Sequence, residues 1–200
     1  MRLILVRHGE TDHNRGNLTL GRADVPLNAR GIAQAGAAAA SFVRAPAAIY
    51  SSPLARAVDT ASAIGRGTGV SVTIEDDLIE MDVGEMEHLS RTELRARYPD
   101  FLAEWMSDDA ADARMPGGET LREVQTRAWH ALDRVRAAHP EGEVVAVTHN
   151  FVILTLVCRT IGLPLAHFRR LRHGVGARTT IDLRADGATL VQLNAGPDIA

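Results

Sequence analysis

The sequence predicts an α/β protein, a three-layer α/β/α sandwich with a mostly parallel mixed sheet and a small helical cap region. Three observations carry this. Short unbroken apolar runs at 3–6, 47–50 and 144–147 have strand length and the composition of strands buried on both faces. Segments of helical character alternate with them, as connections between parallel strands require. Near the end, 178–184 and 188–193 meet across Ala185-Asp186-Gly187 as a hairpin.

The elements follow in order. The first run, Leu3-Ile4-Leu5-Val6, stops at Arg7-His8-Gly9-Glu10-Thr11. Residues 29–43 form an alanine-rich helix with Asn28 at its N-cap. After the run at 47–50, Ser52 is a good N-cap and Pro53 a good first helical residue. They predict a helix over 53–66 with Arg56 about one turn in. Val70-Ser71-Val72-Thr73-Ile74 alternates as a partly exposed strand. Residues 77–118 break the alternation and predict a cap over the crevice. Within them Ser90-Arg91-Thr92-Glu93 is a capping box, opening a short helix that stops near Pro99. Tyr98, Phe101, Trp105 and Met106 have two readings: they pack the cap onto the sheet, or one or two of them, foremost Trp105 or Met106, line a pocket for the organic part of a substrate. Asp108, Asp109 and Asp112 read most simply as a solvated, mobile loop; if they face the pocket instead, they would oppose substrates with extra negative charges. Thr120-Leu121-Arg122-Glu123 is a second capping box, opening a long helix with an apolar stripe of Leu121, Val124, Ala128, Leu132 and Val135. Val144-Val145-Ala146-Val147 runs into Thr148-His149-Asn150, and an apolar helix over 151–161 ends at Gly162-Leu163-Pro164.

Three strand ends therefore carry Arg-His, Ser-Arg and His. Ligand sites of open α/β sheets lie outside the carboxyl ends of the strands. If these strands are parallel neighbours, the groups share one crevice. A histidine there can act as a nucleophile, and guanidinium groups can bind the oxyanion it attacks.

With these segments in hand, the chain resembles the histidine phosphatase superfamily, also called phosphoglycerate mutase-like. The residues carrying the resemblance are Arg7-His8-Gly9-Glu10-Thr11 with Asn14, Gly21-Arg22-Ala23-Asp24-Val25-Pro26-Leu27 with Gly31, and Ser52-Pro53-Leu54-Ala55-Arg56-Ala57. Glu80-Met81-Asp82-Val83-Gly84-Glu85, Pro116-Gly117-Gly118-Glu119 and Val147-Thr148-His149 complete it. The resemblance implies that His8 accepts the phosphoryl group, that Arg7, Arg56 and His149 surround it, and that Glu80 donates a proton. It further implies that Asn14 is a phosphate ligand; Asn150 and Gly21 are additional candidates for phosphate or substrate binding. Only the resemblance singles out Glu80, because Asp76, Asp77, Asp82, Glu85 and Glu87 crowd the same loop. Asn150, Met86, His88 and Leu20 depart from the family pattern, at positions that bear on the substrate rather than on the phosphoryl group.

Composition agrees. Two hundred residues is one domain over 1–200, with the cap as an insertion at about 77–118. A formal net charge of −3 gives no basic surface for nucleic acid. The stretch from 144 to 165 is interrupted by His149, Asn150 and Arg159, so it reads as strand plus helix rather than a membrane span. The run at 3–6 is too short for a signal peptide. The single cysteine, Cys158, makes no internal disulfide and points to a cytoplasmic setting. The chain contains no lysine, so any side-chain cation in the site besides histidine is a guanidinium. No metal cluster or cofactor motif is legible, and a homodimer is left open.

Chemically, His8 must be neutral to attack phosphorus, His149 serves mainly as imidazolium, and Glu80 needs a pKa raised by burial or by the substrate phosphate. The expected activity is a metal-independent phosphomonoesterase, of the histidine acid phosphatase type, acting on a small phosphorylated metabolite. The alternatives are a cofactor-dependent phosphoglycerate mutase with the same first step, and a catalytically silent phospho-ligand binding module.

Overall fold

The computed structural model describes residues 1–196, so the end of the domain expected over 1–200 lies outside the described residues. In chain order, β1 (Arg2–Arg7) leads into a short helix α1 (Asp12–Arg15), then α2 (Ala29–Ala40), β2 (Ala48–Ser51), α3 (Ala55–Thr68) and β3 (Val72–Ile74). The cap carries α4 (Arg91–Arg97) and α5 (Pro99–Trp105). It is followed by α6 (Leu121–Ala138), β4 (Glu143–Thr148), α7 (Asn150–Ile161), β5 (Arg178–Arg184) and β6 (Gly187–Ala195).

The six strands form one sheet in the order β3-β2-β4-β1-β5-β6. The pairs β3/β2, β2/β4 and β4/β1 are parallel; β1/β5 and β5/β6 are antiparallel. This is the mixed α/β sheet that the sequence predicts.

Strand alternation builds the layers. In β1, Leu3 and Leu5 face a core shared with Val124, Ala128 and Leu132 of α6 and with Ile153 and Leu156 of α7. Ile4 and Val6 face the opposite core, with Ala38 of α2 and Ala57, Ala61 and Ile64 of α3. Both faces of β1 are thus buried, which is why its sequence is continuously apolar. The stripe of α6 is buried in full. Burying a large aliphatic side chain contributes about 1.5–3 kcal/mol, so these two cores hold the strand ends in place.

Three local readings change. The helix expected from Pro53 starts at Ala55, with Leu54 as N-cap and no side-chain cap of its own. Asp24 supplies the acceptor instead, its Oδ1 taking the Ala55 N–H at 2.7 Å, and Ser52 is left for other work. Arg56 accordingly lies in the first helical turn. The cap has two helices rather than one, because Pro99 opens α5 at its first position, a place proline tolerates well. The third change is α1, whose capping box joins Thr11 and Asn14.

Tyr98, Phe101 and Trp105 pack against the core under α6 and α7, while Met106 is 65% exposed. Asp112 pairs with Arg122 in the loop before α6.

Candidate active site

Sheet order gathers the strand ends. In the β1/β4 register Arg7 stands beside Thr148, so His8 and His149 are the next residues of neighbouring parallel strands. On the other side of β4, Ser51 stands beside Val147, which brings Ser52 alongside. The His8 and His149 rings lie 5.1 Å apart, tilted by 57°. His8, Arg56, Glu80 and His149 are all buried.

His8 is oriented by its backbone. Its Nδ1 is 2.7 Å from the Gly9 carbonyl, an acceptor, so Nδ1 carries the ring proton. Nε2 keeps its lone pair and accepts from Arg56 Nε at 3.3 Å. Burial, then the Arg56 and Arg7 charges, hold the imidazole well below the ordinary histidine range. His8 is therefore a neutral base with its unprotonated nitrogen facing a cation. The loop that carries it lies directly on α2: a Cβ on Gly31 would sit 2.1 Å from the Glu10 carbonyl oxygen, so only glycine permits the approach.

Arg56 is fully buried and gripped by carbonyls, Nη1 donating to Ala23 at 2.8 Å and Nη2 to Gly21 at 2.7 Å. Gly21 lies behind this arginine. Its carbonyl is taken by Arg56 and its N–H by Glu87 Oε1, so the expectation that Gly21 binds substrate gives way to a part in holding Arg56. Arg7 donates to Asn150 Oδ1 at 3.2 Å and to the His173 carbonyl. Burial, the first cause, lowers its pKa to about 10, which leaves it a cation at neutral pH.

His149 Nε2 sits 2.7 Å from Ser52 Oγ. Burial, then His8, Arg56 and Arg7, push its pKa well below the ordinary range. The expected imidazolium is thus replaced in the protein alone by a neutral ring, since burial and the cations around it oppose a further charge. If Ser52 donates its hydroxyl proton to Nε2, the neutral ring still offers an Nδ1–H. Two buried side-chain polar atoms lack a hydrogen-bond partner among the described residues, and they are Arg7 Nε and His149 Nδ1.

The structure separates Glu80 from its acidic neighbours. Asp77 pairs with Arg134, Asp82 with Arg22 and the Gly84 N–H, Glu85 with Tyr98, and Glu87 with the N–H groups of Gly21 and Ala23. Glu80 instead accepts from the Met81 N–H at 2.8 Å and the Phe151 N–H at 3.3 Å. Burial raises its pKa, against the pull of those bonds and of Arg56 and Arg7. A carboxyl that protonates readily so lines the same crevice of 540 Å³ as Arg7, His8, Asn14 and Asn150. Asn14 spends its Oδ1 on Thr11, which leaves its amide N–H groups for a ligand.

Sequence reasoning missed three contributors. In the sequence Ser52 carries the signature of a helix cap, and its bond to His149 depends on sheet order. The Phe151 N–H reaches Glu80 from the first turn of α7. The third is a clamp. Arg127 forks onto Glu119 through Nε and Nη2, both at 3.0 Å. Its Nη1 donates to the Asp77 and Ile79 carbonyls at 2.7 and 2.6 Å, and its Nη2 to the Glu80 carbonyl at 3.1 Å. Glu119 Oε2 in turn accepts the Asp82 N–H at 2.9 Å. Glu119 stands in a quoted motif, and the signal for its partner was only a spacing of eight residues.

Comparison with known proteins adds to this. The profile of the histidine phosphatase superfamily, branch 1, matches residues 3–196. A bifunctional protein of Mycobacterium tuberculosis is 34% identical over 194 residues, 96% of this chain; the chain spans only 53% of that relative's length. Glucosyl-3-phosphoglycerate phosphatase of Mycolicibacterium vanbaalenii is 34% identical over 198 residues, covering 93% of this chain and 87% of that one. Among solved structures, mycobacterial glucosyl-3-phosphoglycerate phosphatase complexed with VO3 superposes with a TM-score of 0.89 at 32% identity, over 98% of this chain and 99% of that one. Alpha-ribazole phosphatase of Shigella flexneri gives 0.86 at 29%, over 99% and 100%.

Proposed function

The chain belongs to the histidine phosphatase superfamily, branch 1, and from that premise we propose that it is a metal-independent phosphomonoesterase acting on a small phosphorylated metabolite. The relatives carry the names of phosphatases of different phosphoesters, which supports the reaction and leaves the alcohol open. The observation that carries the reading is the pair of unpartnered buried atoms, Arg7 Nε and His149 Nδ1, beside an imidazole whose unprotonated Nε2 meets the Arg56 guanidinium. Unpaired buried polar groups are costly, and an oxyanion there would satisfy both.

The reaction runs in two displacements. His8 Nε2 attacks phosphorus, and the bond from phosphorus to the alcohol oxygen breaks. Arg7, Arg56 and His149 meet the charge on the equatorial oxygens, with the Asn14 amide as a neutral donor. Protonated Glu80 gives its proton to the departing oxygen, so a neutral alcohol leaves. Glu80, now a carboxylate, takes a proton from water, the oxygen adds to phosphorus, and the phosphorus–nitrogen bond breaks. Inorganic phosphate and neutral His8 are regenerated. Asn150 holds Arg7, and Gly21 holds Arg56.

A single domain, a cytoplasmic setting and a small-molecule partner belong to the same reading. Among the described residues no helix is long and apolar enough to cross a membrane. Turnover of para-nitrophenyl phosphate and a panel of phosphorylated metabolites, with release of inorganic phosphate undiminished by EDTA, tests the proposal. A strict requirement for added divalent metal would overturn it. So would net conversion of 3- to 2-phosphoglycerate without phosphate release, the outcome a mutase gives.

A further inference from the structure

Beside the crevice runs a larger groove of 1410 Å³, between the cap and the segment before β5. Arg91, Leu94, Asn150 and Phe151 line both spaces, so the two are continuous. Leu94, Trp105, Phe151 and Phe168 give the groove apolar walls, with Trp105 edge-on to both phenylalanines. The charges in it are of one sign. Arg91, Arg95, Arg169 and Arg172 line it, and none of its lining residues is acidic. This occurs in a chain whose formal net charge is −3.

The state of these arginines adds to the argument. Several arginines elsewhere pair with carboxylates, as Arg2 does with Asp182, Arg122 with Asp112 and Arg134 with Glu75 and Asp77, while Arg44, Arg66 and Arg170 have no such partner among the described residues. Arg169 is engaged by the Trp105 carbonyl and lies over the Phe168 ring. Among the described residues the guanidinium groups of Arg91, Arg95 and Arg172 have no hydrogen-bond or ion-pair partner. Arg91 stands where groove meets crevice. Arg172 precedes His173, whose carbonyl holds Arg7. Unpaired guanidinium groups over apolar walls attract an oxyanion more strongly than the same groups in open water.

We infer that Arg91 and Arg172 flank a leaving-group subsite that recognises a second anionic group, a carboxylate or a second phosphoryl, on the alcohol part of the substrate. The inference rests on the phosphomonoesterase reading and names the substrate class for that site. The alcohol lies along Leu94 and Phe151, its phosphoryl at His8 and its far oxyanion between the two guanidinium groups.

Paired substrates that differ in one group test it. Phosphoserine and phosphoethanolamine differ by a carboxylate, and propane-1,3-diyl bisphosphate and propyl phosphate by a phosphoryl. The wild-type protein is expected to favour the dianionic-plus member of at least one pair by roughly tenfold or more in kcat/KM, chiefly through KM, and the pair that responds identifies the oxyanion. In an Arg91→Ala/Arg172→Ala double variant that ratio falls toward one, and in wild type it falls as salt rises. A ratio near one for both pairs in wild type, or a ratio the double variant leaves unchanged, overturns the inference while the phosphatase reading stands. No turnover of any phosphomonoester, para-nitrophenyl phosphate included, overturns both.

Discussion

The two sides of the crevice are built differently. On the phosphoryl side His8, Arg56 and His149 are buried, and they are fixed by the Gly9, Gly21 and Ala23 carbonyls and by the Ser52 hydroxyl. On the leaving-group side Arg91 and Arg172 are exposed, Met106 is 65% exposed, and those two guanidinium groups have no partner among the described residues. Chemistry common to many phosphoesters needs a preorganised cage, and recognition of one alcohol needs groups that substitution can change without disturbing the sheet. Glu80 stands between the two. It belongs to the cap segment by sequence, yet it is held by the N–H groups of Met81 and Phe151.

Removing that boundary group gives the largest separation between the two sides. Glu80→Gln is expected to cost roughly 10²–10⁴-fold in kcat/KM for alkyl phosphates, which need a proton on the leaving oxygen. Para-nitrophenyl phosphate, with its good leaving group, should lose far less. Equal losses across a series of leaving groups would move the proton donor elsewhere.

A smaller effect is expected from the clamp. Arg127 is not among the residues lining the crevice and holds the carbonyls of Asp77, Ile79 and Glu80, so it acts as a positioning residue. Arg127→Leu should cost about 10- to 100-fold on alkyl phosphates, since small misplacements of a proton donor are expensive. It should also alter the alkaline limb of the pH profile, because that limb reports Glu80 losing its proton. A variant that lowers every substrate equally, with an unchanged pH profile, would make the clamp a matter of folding alone.

The smallest effect is a pH dependence of stability that originates on the phosphoryl side. His8, His149 and His173 are buried with folded pKa values below the unfolded value of 6.5, that of His173 at about 4. Between folded and unfolded values the unfolded chain binds more protons. Their contribution is therefore complete above about pH 6.5 and is lost as pH falls through that window. Glu80, raised above 4.5, has the opposite sign: its contribution is present below 4.5 and is lost as pH rises through its folded value. Urea midpoints should fall from pH 7 to pH 5. A bound oxyanion should weaken the dependence by favouring charged His149. A midpoint rising over that range would contradict the assignment of neutral buried histidines.

Much of this was legible because the signals are local. Leu3-Ile4-Leu5-Val6 is apolar on both faces because cores lie on both sides, and the residue after such a strand has to be at its carboxyl end. The Thr120 and Ser90 capping boxes formed where their spacing predicts. What was not legible is long-range. Ser52 and Pro53 carry a strong local helix signal. It gives way because Asp24, 31 positions upstream, takes the first N–H of α3, while His149, 97 positions downstream, takes the Ser52 hydroxyl. The Arg127 clamp acts on backbone carbonyls, which carry no side-chain signature. The Thr11–Asn14 capping box has the same local spacing as the other two, though there Thr11 stands in a motif of the resemblance and Asn14 is its implied phosphate ligand.

The central claim is that the His8 imidazole carries the phosphoryl group during turnover. Rapid acid-free quenching of the protein with a radiolabelled phosphomonoester, followed by peptide mapping, reads this directly. The account predicts a label on His8 that is stable to alkali, labile to acid and absent from His8→Ala, whose turnover falls by on the order of 10⁴-fold or more. A label on another residue, or His8→Ala turning over at the wild-type rate, would contradict it.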